Sequence, residues 1–220
     1  MFGSFDLLEF MNKVAMIYLP LLFSLCFHEL AHGYVAKLRG DRTAQMMGRL
    51  TMNPLAHIDW FGTVAMPLFS LAANLNIFFG WAKPVPVNSR NLRSPKQDMF
   101  WIALAGPLSN IFLAFVGTGA LWLAARFLGA TEFYRPVGRL MDAFILTNLF
   151  LAFFNLIPLH PLDGGKVLAR FLPAAWSYKL EQNEQLTSLL LMILIFSGAT
   201  HFLIRPVLIF YTILRDWALL

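Results

Sequence analysis

The sequence predicts an all-α polytopic membrane protein, and three observations carry that reading. Hydrophobic residues make up 58% of the 220 and charged residues only 13%, against about 45–50% and about 25% in soluble domains. Apolar runs recur at lengths near the roughly 20 residues that a bilayer crossing needs. The charges gather in short segments between those runs. About five to six transmembrane helices are expected, with a re-entrant or interfacial segment and room for a short β-hairpin. At this length, residues 1–220 read as a single membrane-embedded domain.

The first run, Val14 to Ala36, holds His28, Glu29 and His32. The second, Phe61 to Trp81, is broken by Pro67, Asn74 and Asn76. The third spans Met99 to Ala125. The fourth, Leu140 to Ile157, ends at Pro158, Pro161 and the pair Gly164 and Gly165. The last stretch, Leu186 to Leu220, holds two shorter runs separated by "SGATHFLIRP". Between the runs, "GWAKPVPVNSRNLRSPKQD" alternates Pro and Val, which suits an extended strand or hairpin near Trp81 to Val87. "LARFLPAAWSYKLEQNEQL" reads as an interfacial stretch.

Composition also excludes classes. The net charge is +5, but no basic stripe interleaved with aromatics is present, so no nucleic-acid partner is expected. The bases fit anionic headgroups and the positive-inside rule instead. The single cysteine, Cys26, rules out an intrachain disulfide and a cysteine-rich zinc site; it reads as packing. Asp6 and Glu9 precede the first base, Lys13, unlike the start of a cleavable signal peptide.

The chemistry is concentrated in "FSLCFHELAHGYVA", Phe23 to Ala36. Residues four apart share a helix face about 6 Å apart along the axis, so His28 and His32 can ligate one Zn2+. Glu29, about 100° round, can act as general base without being a ligand. Ionisable residues inside a membrane helix are costly and mark function by default. A catalytic zinc needs a third protein ligand. Asp163 in "NLIPLHPLDGG" is the best candidate, with Gly164 and Gly165 permitting close backbone approach. The competing reading makes Asp163 a helix cap. A membrane metal-binding or transport protein could use the same ligands without catalysis.

Taken together, "HELAH" at His28 to His32, "AGPLSN" at Ala105 to Asn110 and "NLIPLHPLDGG" resemble the motifs of the site-2 protease family of intramembrane zinc metalloproteases. "GRLTMNPLAHID", "GWAKPVPVN" and the trailing membrane segments resemble a compact branch without PDZ or CBS domains. The resemblance implies a zinc-dependent intramembrane endopeptidase that cleaves peptide bonds in or near the membrane helices of protein or peptide substrates. It implies Asp163 as third ligand and Glu29 as base. Asn155 resembles the position that orients substrate or steadies the oxyanion, with Asn110 supporting the same site. His160 stands where the family often has an apolar residue or Pro; it reads as a structural histidine or as one steadying a ligand from behind. His57 and His201 read as structural. An inactive member that only chaperones membrane helices is a further alternative.

The metal geometry constrains topology. His28 and His32 lie near the end of the first run and Asp163 just beyond the fourth, so those two helices should be parallel. One more crossing would put Asp163 on the wrong side, so Phe61 to Trp81 should not cross. Then Lys37, Arg39, Arg42, Arg49, Lys83, Arg90, Arg93, Lys96, Lys166, Arg170 and Lys179 share one side. Arg126, Arg135 and Arg139 fall on the other, with Arg205 nearby. That bias places the site toward the cytoplasm in an inner or plasma membrane, the N-terminus outside and the C-terminus in the cytosol.

Overall fold

A computed structural model of the chain describes residues 7–72, 81–197 and 201–220. The first helix runs as α1 (Leu7–Lys13), a π-helical turn (Val14–Tyr18) and α2 (Leu19–Leu38). The π turn lies just before Pro20, whose missing N–H breaks the regular ladder. Helix α2 ends at Gly40, which takes φ +112° while the Asp41 N–H closes onto the Ala36 carbonyl at 2.9 Å. A short α3 (Thr43–Met46) follows, then a π-helical stretch (Trp60–Ala65) leading into α4 (Met66–Ala72). The long helices are α5 (Pro95–Leu128) and α6 (Tyr134–Asn155). The chain finishes with α7 (Asp163–Ala169), α8 (Ala174–Gln182), α9 (Glu184–Phe196) and α10 (His201–Leu219).

Three described helices are long and apolar enough to cross a membrane: Phe10–Leu38, Pro95–Leu128 and Tyr134–Asn155. In such helices every backbone bond is made internally, which lipid requires. The expectation of five to six spans includes the two terminal runs. Of these, Glu184–Leu194 is apolar but shorter than a span, and α10 carries Arg205, Arg215 and Asp216.

Side-chain pairs fix the directions. Down α2, Ser24, His28 and His32 meet Asn110, Asn110 and Ile102 of α5 in reverse order. Asn110 and Gly117 of α5 meet Asn148 and Phe144 of α6, again reversed. Two antiparallel contacts make α2 and α6 parallel, as the metal geometry demands. Gly117 permits the second contact, because a Cβ there would stand 2.9 Å from a Phe144 ring carbon. Ala114, Leu121, Ile145, Leu149, Val207, Leu214 and Ala218 bury a common core between α5, α6 and α10.

The second apolar run returns to its own start. Trp81 donates its N–H to the Gly62 carbonyl at 3.2 Å, and the Thr63 hydroxyl donates to the Trp81 carbonyl at 2.7 Å. A Cβ on Gly62 would run into the Trp81 ring. A segment whose ends are joined makes no net crossing, which agrees with a re-entrant course. Pro67 is inside α4. Asn74 and Asn76 lie outside the described residues.

Two expectations are corrected. Among the described residues there is no strand, so 81–88 is no hairpin. It is extended, but Pro84 and Pro86 have no N–H to offer. Other donors are taken: Lys83 by the His57 carbonyl at 2.9 Å, Val85 by Glu29 Oε2 at 2.7 Å and Asn88 by Asp41 Oδ2 at 2.7 Å. Arg49 Nη2 also clamps the Lys83 and Pro84 carbonyls at 2.8 and 3.2 Å. Second, the C-terminus does not share a side with the site. Helix α10 is antiparallel to α6: the Phe210 ring lies tilted against Phe153 with centroids 5.4 Å apart, and Arg215 pairs with Asp142 at 3.4 Å. The C-terminal end of α10 therefore lies beside the start of α6, opposite Asp163. Charge counting misses this because the two terminal runs carry too few bases to orient them.

Asp41 ties its own turn to the 88–91 turn at the site end. It is 1% exposed and accepts from Thr43 N–H, Thr43 Oγ1, Asn88 N–H and Asn91 Nδ2. Burial pushes its carboxyl up, but the bonds from Thr43, Asn91 and Asn88 outweigh burial and hold it below the usual carboxylate range. A lowered folded-state value stabilises the fold above the unfolded value near 3.8 and is lost as pH falls through the folded value. Asp41→Ala is expected to lower stability by about 1–3 kcal/mol at neutral pH and to shrink the melting-temperature loss on acidification below about pH 4, measured by thermal unfolding of the purified protein.

Candidate metal centre

Helix α2 presents His28 and His32 one turn apart on its face against α5. Both are buried, at 4% and 8% exposure. Asp163 opens α7 and is 7% exposed. The three come together: Asp163 Oδ2 lies 3.2 Å from His28 Nε2 and 3.2 Å from His32 Nε2, and the two Nε2 atoms are 3.0 Å apart. Among the described residues this is the group of histidine, cysteine and acidic side chains that could hold a metal.

Both rings are oriented from behind. His28 Nδ1 donates to Asn110 Oδ1 at 2.6 Å, and His32 Nδ1 donates to the Ile102 carbonyl at 2.6 Å. With each Nδ1 a donor, each neutral ring turns a bare Nε2 lone pair toward Asp163. Three acceptor atoms facing one another need positive charge between them. Asp163 Oδ2 has no hydrogen-bond partner despite its burial. A proton bridges only two such atoms, whereas a metal ion satisfies all three. Tetrahedral zinc, with ligand bonds of about 2.0–2.2 Å, sets its donors roughly 3.3 Å apart, close to the separations here. The residues fit zinc.

Glycines make the convergence possible. A Cβ on Gly106 of α5 would stand 2.5 Å from His28 Cε1 and 2.6 Å from His28 Nε2, and would also strike His32. Pro107, next along, stays within the helix. A Cβ on Gly165 would stand 2.7 Å from the His160 nitrogen, and one on Gly164 would strike the Leu156 and Ile157 carbonyls. The double glycine thus seats α7 directly on the 156–160 loop and carries Asp163 inward.

Glu29 is half-buried and outside the metal-capable group. Its Oε2 accepts from the Val85 N–H at 2.7 Å. Asn110 is fully buried, its oxygen on His28 and its nitrogen on Asn148 Oδ1 at 2.9 Å and the Ser24 carbonyl at 3.4 Å. In that placement its amide is engaged with His28, Asn148 and the Ser24 carbonyl. Asn155 is half-buried, with its Nδ2 on the Leu151 carbonyl of its own helix at 2.9 Å. His160 is buried in the loop beneath α7, followed by a cis bond to Pro161. His57 is buried, with Nε2 on the Thr51 carbonyl at 2.8 Å, a structural placement. The side chain of His201 lies outside the described residues. Cys26 is buried packing.

Sequence reasoning misses Asn148, Ile102 and Val85. Two of the three act through backbone groups, which leave no mark in side-chain identity. Asn148 does leave one: a fully buried amide in an apolar helix is costly unless bonded.

Comparisons with known proteins point to a zinc metalloprotease. The family model described as Peptidase family M50 matches residues 118–198. Among the relatives named "Putative zinc metalloprotease" are YwhC and Rip2. YwhC of Bacillus subtilis is 36% identical over 199 residues, covering 86% of this chain and 84% of its own. Rip2 of Mycolicibacterium smegmatis is 26% identical over 191 residues, covering 82% and 66%. Zinc metalloprotease MJ0392 of Methanocaldococcus jannaschii is 26% identical over 164 residues, covering 74% of this chain and 36% of that protein. No solved structure matches. Apolar spanning helices around a His-His-Asp group define an intramembrane zinc metalloprotease, an integral membrane enzyme. The chain belongs to peptidase family M50, the site-2 protease family.

Gly106→Ala is expected to weaken zinc binding at least 10-fold by displacing both histidines, and Asn148→Leu by about 10-fold through Asn110. Chelator competition on the purified proteins measures both. The Asn148 effect should vanish in an Asn110→Leu background; additive losses would instead mean that Asn148 only packs helices.

Proposed function

We propose that this protein is an endopeptidase acting within or near transmembrane segments, with His28, His32 and Asp163 holding the zinc and Glu29 serving as general base. The observation that carries this reading is the convergence of His28 Nε2, His32 Nε2 and Asp163 Oδ2 within 3.2 Å, with Glu29 next to His28 in the chain. Bound there, zinc supplies Lewis acidity toward the scissile carbonyl and the attacking water. Glu29 removes a proton from that water as its oxygen attacks the carbonyl carbon. It then returns the proton to the leaving amine, so the C–N bond breaks to a neutral amine. The Val85 N–H holds Oε2 and leaves Oε1 to carry the proton.

A helical substrate hides its carbonyls in its own hydrogen bonds, so it must unwind before attack. The extended 81–88 segment is suited to lie beside such a strand. With Val85 committed to Glu29, Ala82 and Val87 are the residues there whose N–H groups make no bond among the described residues, and Val87 is the nearer to Val85 along the chain. Asn155, at the end of α6, is the group suited to orient the substrate. The basic loops on the site side support a cytoplasmic active site in an inner or plasma membrane, with residues 1–220 acting as one domain.

Glu29→Gln tests the proposal against a metal carrier that uses the same ligands. The variant should bind zinc as wild type does, yet cleave a reconstituted membrane peptide at least ~100-fold more slowly. Cleavage at an undiminished rate would remove Glu29 from the mechanism. Val87→Pro should slow cleavage with zinc content unchanged; wild-type rates on every substrate would refute strand addition.

A further inference from the structure

We propose that the end of the bundle opposite the metal centre binds the phosphate of an anionic phospholipid headgroup. A cavity of about 330 Å³ opens there between α5, α6 and α10, and its polar lining is Tyr134, Arg135, Arg139, Asp142 and Arg215. Three arginines face one aspartate. That aspartate is ion-paired with Arg215, Oδ1 to Nε at 3.4 Å, without a hydrogen bond to Oδ1 among the described residues. Arg135 and Arg139 make no ion pair or hydrogen bond among the described residues. Glu132, three residues before Arg135, does not pair with it.

The two free arginines are electrostatically misplaced as they stand. They are four residues apart on one helix face, where like charges repel. Arg135 also sits in the first turn of α6, where the helix dipole disfavours a cation and where no acidic residue compensates. An anion in the cavity reverses both terms. Guanidinium groups bind phosphate bidentately and are more weakly hydrated than ammonium groups. The cavity is at the start of a membrane-spanning helix, the depth at which headgroups lie. Leu121 and Leu219 give its wall an apolar part, which suits a lipid better than a free ion. A net positive lining favours a headgroup without its own cation. The occupant would join α10 to the α5 and α6 pair.

Gly138 provides an independent handle. It also lines the cavity, and a Cβ there meets nothing nearer than 3.9 Å, so a larger side chain can grow inward with every arginine kept.

The experiment uses the full chain, delipidated in detergent and titrated with phosphatidylglycerol or with phosphatidylcholine of the same acyl chains, read by native mass spectrometry. Wild type should hold one phosphatidylglycerol, with phosphatidylcholine at least 10-fold weaker. Arg135→Gln/Arg139→Gln and, separately, Gly138→Leu should each weaken phosphatidylglycerol at least 10-fold while helicity and zinc content stay at wild-type values. Arg126→Gln, at the same end but outside the cavity, should change binding less than 2-fold. Unchanged binding in the double variant and in Gly138→Leu would overturn the site, as would an equal loss in Arg126→Gln, which would mean surface charge alone. In a third arm, inorganic phosphate that displaces the lipid at micromolar concentration would overturn the lipid assignment in favour of the free ion.

Discussion

The structure depends on three acceptor atoms being forced together in a dry setting. His28 Nε2, His32 Nε2 and Asp163 Oδ2 repel one another unless a cation lies among them. Two come from one helix turn, but the third arrives from a helix start far along the chain. Only a parallel α2 and α6 put Asp163 at the same depth. That in turn requires α5 to return between them and the second apolar run to make no net crossing. The joined ends at Gly62 and Trp81 meet the second condition. Topology here follows from coordination chemistry.

Holding these three groups takes a further layer of bonds. Neutral imidazoles are useful only when the bare nitrogen points the right way. Asn110 and the Ile102 carbonyl settle that for both rings. Asn110 is itself pinned by Asn148, whose own Nδ2 donates to the Phe144 carbonyl at 2.9 Å. A buried relay of this kind is strong in low dielectric and costly when incomplete. Its members sit on α2, α5 and α6, so the relay also sets the three helices in register. Gly106 complements it by supplying space where the relay supplies direction.

Much of this is legible in the sequence alone. His28 and His32 are readable because helical spacing puts them on one face. Asp163 is readable as the best third-ligand candidate, with a helix cap as the competing use until the motif resemblance singles it out. Even the re-entrant run follows from the shared depth of the three ligands, and the placing of the lysines and arginines agrees with it. What stays hidden depends on long-range register. No local pattern says that Asn148 lies opposite Asn110, or that the Val85 amide meets Glu29. The Pro/Val alternation of 81–88 correctly marks an extended chain, but the strand partner it suggests is replaced by side chains. The direction of α10 is misjudged because short, sparsely charged runs carry no orienting signal of their own.

The metal-capable group and the proposed base answer to different parts of the molecule. His28 and His32 are set by the helix bundle, through Asn110 and Ile102. Glu29 leaves the same helix turn but is held by Val85, on a segment outside the bundle. That segment is fastened at intervals: to the re-entrant run at Trp81, to His57 through Lys83, to Arg49 at two carbonyls and to Asp41 through Asn88. Each fastening lies at the site end, where the chain is polar. Glu29 can therefore shift without disturbing the histidines, provided the extended segment shifts first. A substrate strand entering beside 81–88 competes for that same segment. Under the proposed function, substrate engagement and base orientation would be coupled: the extended segment suited to receive the substrate is the one that holds the carboxylate.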